Sequence, residues 1–308
     1  MAAARTLVVG TRGSRLALRQ TEIVLELLRA AHPGLQIETR EIRTEGDARA
    51  TEPLSAIGGE GVFVKAIESA LQQREIDFAV HSLKDMPADA GDGLVIAATP
   101  KRADVRDALV TRGNVALKGL PSGARIGTSS ERRSVQLRML RADIGPADIR
   151  GNVDTRVRKV DDSEYDGAVL AVAGLERLGL IDRAAQVFDP MVMLPSPGQG
   201  ALAVEARADD AELLALLAPI DHVETHRACD AERAFMRRLG GGCRLPFGAL
   251  GTIVDGALEL HGFISDAQGD KTYRGEVAGR PDEAESLGEE LADVLLAQGA
   301  SKLLEALR

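Results

Sequence analysis

The sequence predicts an α/β fold with two sheet-and-helix lobes, followed by a smaller α+β domain. Strand and helix patterns alternate from the N-terminus to about residue 205, an order typical of α/β units. Two segments that contain proline, TPKRAD at 99–104 and LPSPGQGA at 194–201, interrupt this alternation and are interpreted as crossovers between the lobes. The 308 residues suit two or three domains of roughly 100 residues each.

The first lobe begins with an apolar strand over residues 6–10 and a helix over 16–31. Ser14 precedes this helix as an N-cap, and Pro33 with Gly34 ends it. The other elements predicted for this lobe are strands at 35–43, 78–80, 94–98 and 201–205, a helix at 62–74 and a polar loop at 44–61.

The second lobe and the C-terminal domain follow the same reasoning, with the pattern changing near residue 221. The elements predicted for the second lobe are strands at 125–127, 148–150 and 168–172 and helices at 130–141 and 153–161. The elements predicted for the C-terminal domain are a helix at 224–239, alternating strands up to 277 and a helix at 282–297.

The composition excludes several classes of protein. A hydrophobic content of 44% with 28% charged residues is typical of a folded globular chain. Two cysteines are too few for a disulfide framework, and we find neither a secretion signal nor an apolar run of about 18 residues. We therefore expect a cytoplasmic protein without a membrane partner.

One basic segment stands out in an acidic chain of net charge −9. Residues 125–159 contain nine arginines and lysines against four acids. A solvated helix face is one interpretation of this segment, and an anion-binding surface is the other. Binding of nucleic acid is disfavoured because the segment contains no aromatic residue on which a base could stack.

Cys243 follows three glycines, at 240–242, where a thiol is easy to reach. A reactive thiol is one interpretation of this position, and a buried apolar cysteine, the commoner condition of free cysteine, is the other. Cys229 lies inside a predicted helix and is interpreted as a core residue.

Asp85 and Lys84 follow an apolar strand and precede the proline of HSLKDMP. A carboxylate at the end of a strand is available for acid–base chemistry, and a turn cap of the Asx type is the alternative.

Two segments place hydroxyl groups, glycine and arginine just before a helix, where free backbone amides bind anions. They are TRGS at 11–14 and GTSSERR at 127–133, and RGNVDTR at 150–156 adds two arginines around a Gly-Asn turn. No P-loop pattern is present, which disfavours nucleotide binding.

His222 and His226 have helical spacing, but without a third ligand we interpret them as helix-entry residues and predict no metal site.

Taken in order, seven motifs make the chain resemble the porphobilinogen deaminase family. They are TRGSRLAL, VHSLKDMP, GTSSERR, RGNVDTR, LAVAGLERLGL, LPSPGQGA and GGCRLPFG. The resemblance implies two lobes like those of type II periplasmic binding proteins and a third domain. The implied domains are 1–100 with 200–218 returning to it, 101–199, and 219–308, the last carrying the attachment cysteine.

The resemblance also implies the chemistry. A dipyrromethane cofactor would be bound by a thioether to Cys243, and four porphobilinogen molecules would be joined with loss of ammonia into hydroxymethylbilane. Asp85 would be the catalytic carboxylate. The enzyme would be a monomer with no nucleic-acid partner. The residues implied to bind the acidic arms of cofactor and substrate are Arg12, Ser14, Lys84, Ser129, Arg132, Arg133, Arg150, Arg156 and Arg177.

Three positions depart from the motifs. Glu60 stands where lysine is often found, Glu131 where leucine is common and Asp154 where glycine is common.

We also expect the replacement of Arg132 or Arg150 to weaken cofactor assembly more than it lowers stability. The competing interpretation is a two-lobed anion-binding protein without catalysis, which the fold alone would permit.

Overall fold

The computed structural model describes residues 6–44, 64–240 and 246–305. The chain forms two compact units: Met1–Arg102 with Ala201–His226, and Ala103–Gly200 with Arg227–Arg308. The three-domain division implied by the resemblance stays a prediction.

In the N-terminal part, residues 6–44 and 64–98 form four strands and two helices. They are β1 (Leu7–Thr11), α1 (Arg15–Ala31), β2 (Ile37–Glu41), α2 (Lys65–Gln72), β3 (Phe78–Ser82) and β4 (Leu94–Ala98). Ser14 caps α1 as predicted, because its Oγ accepts a hydrogen bond from the N–H of Ala17 at 3.2 Å.

The middle of the chain supplies the second lobe. Its elements are β5 (Asp107–Thr111), β6 (Arg125–Gly127), α3 (Glu131–Leu140), β7 (Gly145–Ala147), α4 (Val153–Asp161), β8 (Gly167–Ala171), α5 (Val172–Arg177) and β9 (Ala184–Val187). The last part returns one strand to the first unit and then builds the C-terminal region. Its elements are β10 (Leu202–Arg207), α6 (Ala211–Leu217), α7 (Val223–Arg238), β11 (Phe247–Val254), β12 (Ala257–Ser265), β13 (Thr272–Gly279), α8 (Ala284–Leu295) and α9 (Ser301–Glu305).

Two five-stranded sheets share one topology. The first has the order β2-β1-β3-β10-β4 and the second has the order β7-β6-β8-β5-β9. In each sheet the strand that follows a crossover, β10 or β5, is antiparallel to both of its neighbours, whereas the first three strands are mutually parallel. The polar groups that follow β3 and β6 therefore lie at the carboxyl ends of parallel strands.

Apolar side chains cover both faces of the first sheet. Val9, Phe78 and Val204 pack against Leu28 of α1, while Ala79 packs against Ile67 of α2. A strand buried on both faces has few ways to shift its register, so the residues after β3 have a fixed starting point.

The C-terminal region is a three-stranded antiparallel sheet, β11-β12-β13, with α7 and α8 packed on one face. Phe235 of α7 and Leu291 of α8 meet Leu260 of β12 in its core. The helix and strand pattern predicted for this region is confirmed.

One predicted strand is wrong. Residues 148–150 form no strand, and the strand of this region is instead β7 at 145–147. The reason lies with Ile149, whose carbonyl accepts from the Ser129 hydroxyl at 2.6 Å while its N–H donates to the same oxygen at 3.3 Å. A side-chain hydroxyl thus takes the hydrogen bonds that a neighbouring strand would have made. Strands β5 and β9 and helices α5, α6 and α9 were not predicted.

Gly288 allows α8 to approach α7 closely. A Cβ at this position would lie 2.3 Å from the Ala231 carbonyl oxygen and 2.7 Å from the Ala234 Cβ. We expect Gly288→Ala to lower the free energy of unfolding by about 1–3 kcal/mol, because overpacking outweighs the better helix propensity of alanine. Denaturant unfolding measures the effect, and the exposed Glu289→Ala in the same helix serves as a control that should change little. A more stable Gly288→Ala variant would contradict this packing.

Candidate functional site

Asp85 ends a short turn that is fixed to the first sheet. The 3₁₀ turn Leu83–Asp85 follows β3 directly, and Leu83 is buried. The Leu83 N–H donates to the Ala201 carbonyl at 3.1 Å, and the Met86 N–H donates to the Leu83 carbonyl at 3.1 Å. The Asp85 side chain is exposed, so a carboxylate is presented to solvent from a backbone that is held in place.

The TRGS turn joins β1 to α1. The Ser14 hydroxyl accepts one hydrogen bond in the helix cap, and its proton can still be donated to another partner. A Cβ on Gly13 would lie 2.6 Å from Glu41 Oε2, so an acidic side chain lies against the turn. Arg12 and Lys84 are half-buried, and each has an interaction within the chain. Anion binding by these three residues stays a prediction.

Arg132 and Arg133 form a buried network around Asp107. Arg132 Nη2 donates to Asp107 Oδ2 at 2.8 Å and Nη1 donates to the Leu194 carbonyl at 2.6 Å. Arg133 Nη2 donates to Asp107 Oδ1 at 2.6 Å, and the Gln199 amide donates to the same oxygen at 2.9 Å. The two guanidinium groups are 6% and 8% exposed and the carboxylate is 0% exposed.

This network changes the interpretation of Arg132. Burial lowers the pKa of Arg132, and the Asp107 carboxylate opposes that shift by favouring the charged guanidinium. That replacing Arg132 weakens cofactor assembly more than stability stays a prediction, but the network favours a structural role, because the side chain bonds to both β5 and the second crossover. Binding of acidic arms by Arg132 and Arg133 stays a prediction.

Ser129, Arg150 and Arg156 lie around the Gly-Asn turn before α4. The Ser129 hydroxyl is held by Ile149, and Arg156 Nε donates to the Gly151 carbonyl at 2.7 Å. Arg150 Nε is buried and has no hydrogen-bond partner in the described part of the chain. A buried donor without a partner is costly, so this guanidinium is suited to an anionic ligand.

Arg177 ends α5 and is a second desolvated cation. Its Nη2 donates to the Gly200 carbonyl at 2.7 Å. Burial lowers the pKa of Arg177 to about 10, with the Glu176 carboxylate acting in the opposite direction. A carboxylate ligand would relieve this loss of solvation.

Much of the remaining basic segment has partners inside the protein. Arg141 binds the Asp143 carboxylate through Nη2 at 2.5 Å and the Leu117 carbonyl through Nη1 at 2.8 Å. Arg138 donates to the Ala267 carbonyl at 2.9 Å. The segment is therefore not a uniform solvated helix face.

The unusual acids at Glu131 and Asp154 lie in the first turns of α3 and α4. Negative charge at a helix N-terminus is favoured by the helix dipole, which explains how these departures are accommodated. Glu60 lies outside the described residues, as do residues 45–61 of the predicted loop.

Cys243 lies outside the described residues, whereas Cys229 is buried on α7, 1% exposed. His222 Nδ1 accepts from the Thr225 N–H at 3.2 Å, which agrees with a helix-entry role. Within the residues that the structure describes, no group of three or more His, Cys, Asp or Glu side chains could hold a metal ion, and no helix is long and apolar enough to cross a membrane.

Comparison with known proteins identifies the family. The family model described as "Porphobilinogen deaminase, dipyromethane cofactor binding domain" matches residues 7–215, and the model of the C-terminal domain of porphobilinogen deaminase matches residues 226–297. A porphobilinogen deaminase from Roseiflexus sp. strain RS-1 is 49% identical over 97% of this chain and 99% of its own length. One from Syntrophobacter fumaroxidans is 46% identical over 98% of this chain and 97% of its own length. The chain belongs to the porphobilinogen deaminase family.

Solved structures of binding proteins are also similar to this chain at low sequence identity. A nutrient binding protein from Burkholderia cenocepacia bound to methionine is 16% identical, covers 69% of this chain and 90% of its own, and has a TM-score of 0.44. The methionine-binding protein MetQ is 15% identical, covers 73% and 94%, and has a TM-score of 0.46. The predicted fold class, two α/β lobes with a smaller C-terminal α+β part, is confirmed by the three sheets.

Membership in the porphobilinogen deaminase family confirms the predicted enzyme class and the dipyrromethane cofactor. The residues of the second lobe fit such a group, because its acidic arms need cations that are not already paired with carboxylates. Arg150, with its buried unpartnered Nε, and Arg177, desolvated and bonded to a carbonyl, meet that requirement. Asp107, which pairs with Arg132 and Arg133, was missed by sequence reasoning; the only signal was a carboxylate at the start of an apolar strand.

A matched pair of substitutions separates structural from ligand-binding arginines. We expect Arg132→Lys to lower the free energy of unfolding by about 3 kcal/mol, because one ammonium cannot reach both Asp107 and the Leu194 carbonyl. Arg150→Lys should change stability little and weaken cofactor retention. Denaturant unfolding with intact mass measures both effects, and equal stability of the two variants would contradict this assignment.

Proposed function

We propose that this chain joins four porphobilinogen molecules head to tail, with loss of ammonia, to give hydroxymethylbilane on a dipyrromethane bound to Cys243. The observation that carries the proposal is similarity along the whole chain, 49% and 46% identity to two porphobilinogen deaminases over 97% and 98% of its length. The exposed carboxylate of Asp85 supports it, as do Arg150 and Arg177, which pair with no carboxylate in the described part of the chain.

Asp85 is proposed as the catalytic carboxylate. The aminomethyl group of the substrate, in its protonated form, departs as neutral ammonia when the C–N bond breaks with its electron pair going to nitrogen, and the pyrrole that remains is a cationic azafulvene. A carboxylate nearby stabilises this cation, accepts the proton released when the new carbon–carbon bond forms and passes it on. The dipyrromethane, when bound, supplies the pyrrole carbon to which the first unit is added. The short turn of Asp85 limits how far the carboxylate can move between these steps.

The proposed binding residues divide by their surroundings. Arg150, Arg156 and Arg177 would bind carboxylate arms directly, with Ser129 positioning the Gly-Asn turn. Arg12, Ser14 and Lys84 would act from the first unit. Arg132 and Arg133 would act chiefly by holding the second crossover.

We further propose a cytoplasmic monomer without nucleic-acid or membrane partners. The net charge of −9 and the aromatic content of 3% support the absence of a nucleic-acid partner. Light scattering and a salt-dependent DNA-binding assay test these statements, and a stable dimer or tight binding to DNA would contradict them. A two-lobed binding protein without catalysis is the second candidate, and release of ammonia from porphobilinogen distinguishes the two.

Cys243→Ser should give a folded protein that lacks the covalent cofactor, because a serine hydroxyl is a much poorer nucleophile than a thiolate. Intact mass of the active, purified protein should exceed that of the bare chain by two pyrrole units, and the variant should show the bare mass and almost no hydroxymethylbilane. Cys229→Ser is the matched control and should keep both cofactor and activity. An adduct on a peptide that contains Cys229 would overturn the assignment.

Asp85→Asn should keep the fold and the bound cofactor but lower turnover by roughly a hundredfold or more, because an amide neither accepts the proton nor offsets the cation. Asp85→Glu should retain a small part of the activity. The rate of ammonia release measures both variants. Release at the parent rate by Asp85→Asn would exclude Asp85 as the catalytic carboxylate.

A further inference from the structure

His81 and Glu205 form a buried polar pair in the sheet, next to the 3₁₀ turn Leu83–Asp85. His81 Nε2 lies 3.0 Å from Glu205 Oε2, and the two side chains are 5% and 0% exposed. His81 is in β3 and Glu205 is in the neighbouring antiparallel strand β10. Both side chains share the sheet face of Ala79, on which α2 packs.

The surroundings of this pair are acidic. Burial raises the pKa of the Glu68 carboxyl on α2, and the Glu205 carboxylate adds to the rise, whereas His81 and Lys65 lower it. Glu205 Oε1 is buried without a hydrogen-bond partner in the described part of the chain. Two carboxyl groups therefore lie close to one imidazole, and among the described residues His81 is the hydrogen-bond partner of the Glu205 side chain.

Stability alone does not account for a pair of this kind. Replacing a buried ionic pair by well-packed apolar residues is often neutral or stabilising, whereas removing one partner is costly. A hydrogen bond is directional, whereas apolar packing is not. A hydrogen-bonded pair therefore fixes the orientation of one donor relative to one acceptor.

The location of the pair indicates which part of the chain its hydrogen bond orients. Three contacts hold the end of β3: His81 to Glu205, the Gln20 amide to Ser82 Oγ at 2.8 Å, and the Leu83 N–H to the Ala201 carbonyl at 3.1 Å. All three come within the four residues that precede Asp85. At the other end of β10, Arg207 donates to the Leu71 and Ile76 carbonyls at 2.9 and 2.7 Å, an ordinary structural role after α2.

We propose that His81 and Glu205 are positioning residues for the reaction, which hold the end of β3 so that Asp85 is presented in one orientation. The inference rests on the proposed role of Asp85. It assigns a purpose to a buried polar pair that neither core packing nor cofactor binding requires.

Three variants of the complete cofactor-loaded enzyme test the proposal. Glu205→Gln keeps the shape of the side chain and removes its charge. The double variant His81→Leu with Glu205→Leu replaces the pair by apolar groups. Arg207→Met is the matched control, because it removes a buried charge from the same strand at the end away from Asp85.

We expect Glu205→Gln and the double variant to lower kcat by roughly tenfold to a hundredfold, with KM within about twofold, because a small displacement of a catalytic group has an effect of this size. The double variant should regain the thermal stability that Glu205→Gln loses without regaining kcat. Arg207→Met should lose stability and keep the parent kcat below its unfolding temperature.

The outcomes separate the two claims. If the double variant keeps kcat within about twofold of the parent, the pair is purely structural and the inference is overturned. If the double variant does not fold, the same result for Glu205→Gln overturns it. An equal loss of kcat in Arg207→Met would do the same, because it would show that instability alone lowers turnover. A parent enzyme that releases no ammonia from porphobilinogen would instead refute the proposed function.

Discussion

The carboxylate of Asp107 is the contact on which the second lobe depends. It starts β5, the strand that follows the first crossover and lies between β8 and β9, and it receives hydrogen bonds from Arg132, Arg133 and Gln199. Arg132 also binds the Leu194 carbonyl, and Gln199 donates to the Val105 carbonyl at 2.7 Å. A single buried anion thus connects helix α3 with the second crossover, and Gln199 links this network to Val105, the residue that follows the first crossover.

The strongly patterned elements could be predicted from the sequence because local signals agree with the fold. Helix α1 has both its cap and its stop in the sequence, and α7 and α8 have clear apolar faces. The strand predicted at 148–150 failed because a serine hydroxyl distant in sequence competes for the backbone of Ile149. Such a contact leaves no periodic signal.

The candidate site shows the same limit. Motif order led to the prediction of Asp85 and the arginines as site residues, and their roles stay a prediction; Asp85 is exposed. Sequence reasoning did not distinguish Arg132, whose guanidinium pairs with the buried Asp107 carboxylate, from Arg150, which has no such carboxylate partner in the described part of the chain. Both follow a strand and both lie in a basic segment; only the pairing of Asp107 across the lobe separates their roles.

The topology of the first sheet has a consequence for the order in which the chain can fold during synthesis. Strand β10 lies between β3 and β4, yet it is made about 100 residues after β4. Until the ribosome has released it, the nascent chain exposes the unpaired edge of β3, which ends in the HSLKDMP turn. The second lobe, whose sheet is continuous in sequence, can close first. Completion of the unit that carries Asp85 is therefore a late, long-range step, and until then the incomplete sheet keeps a strand edge open to aggregation.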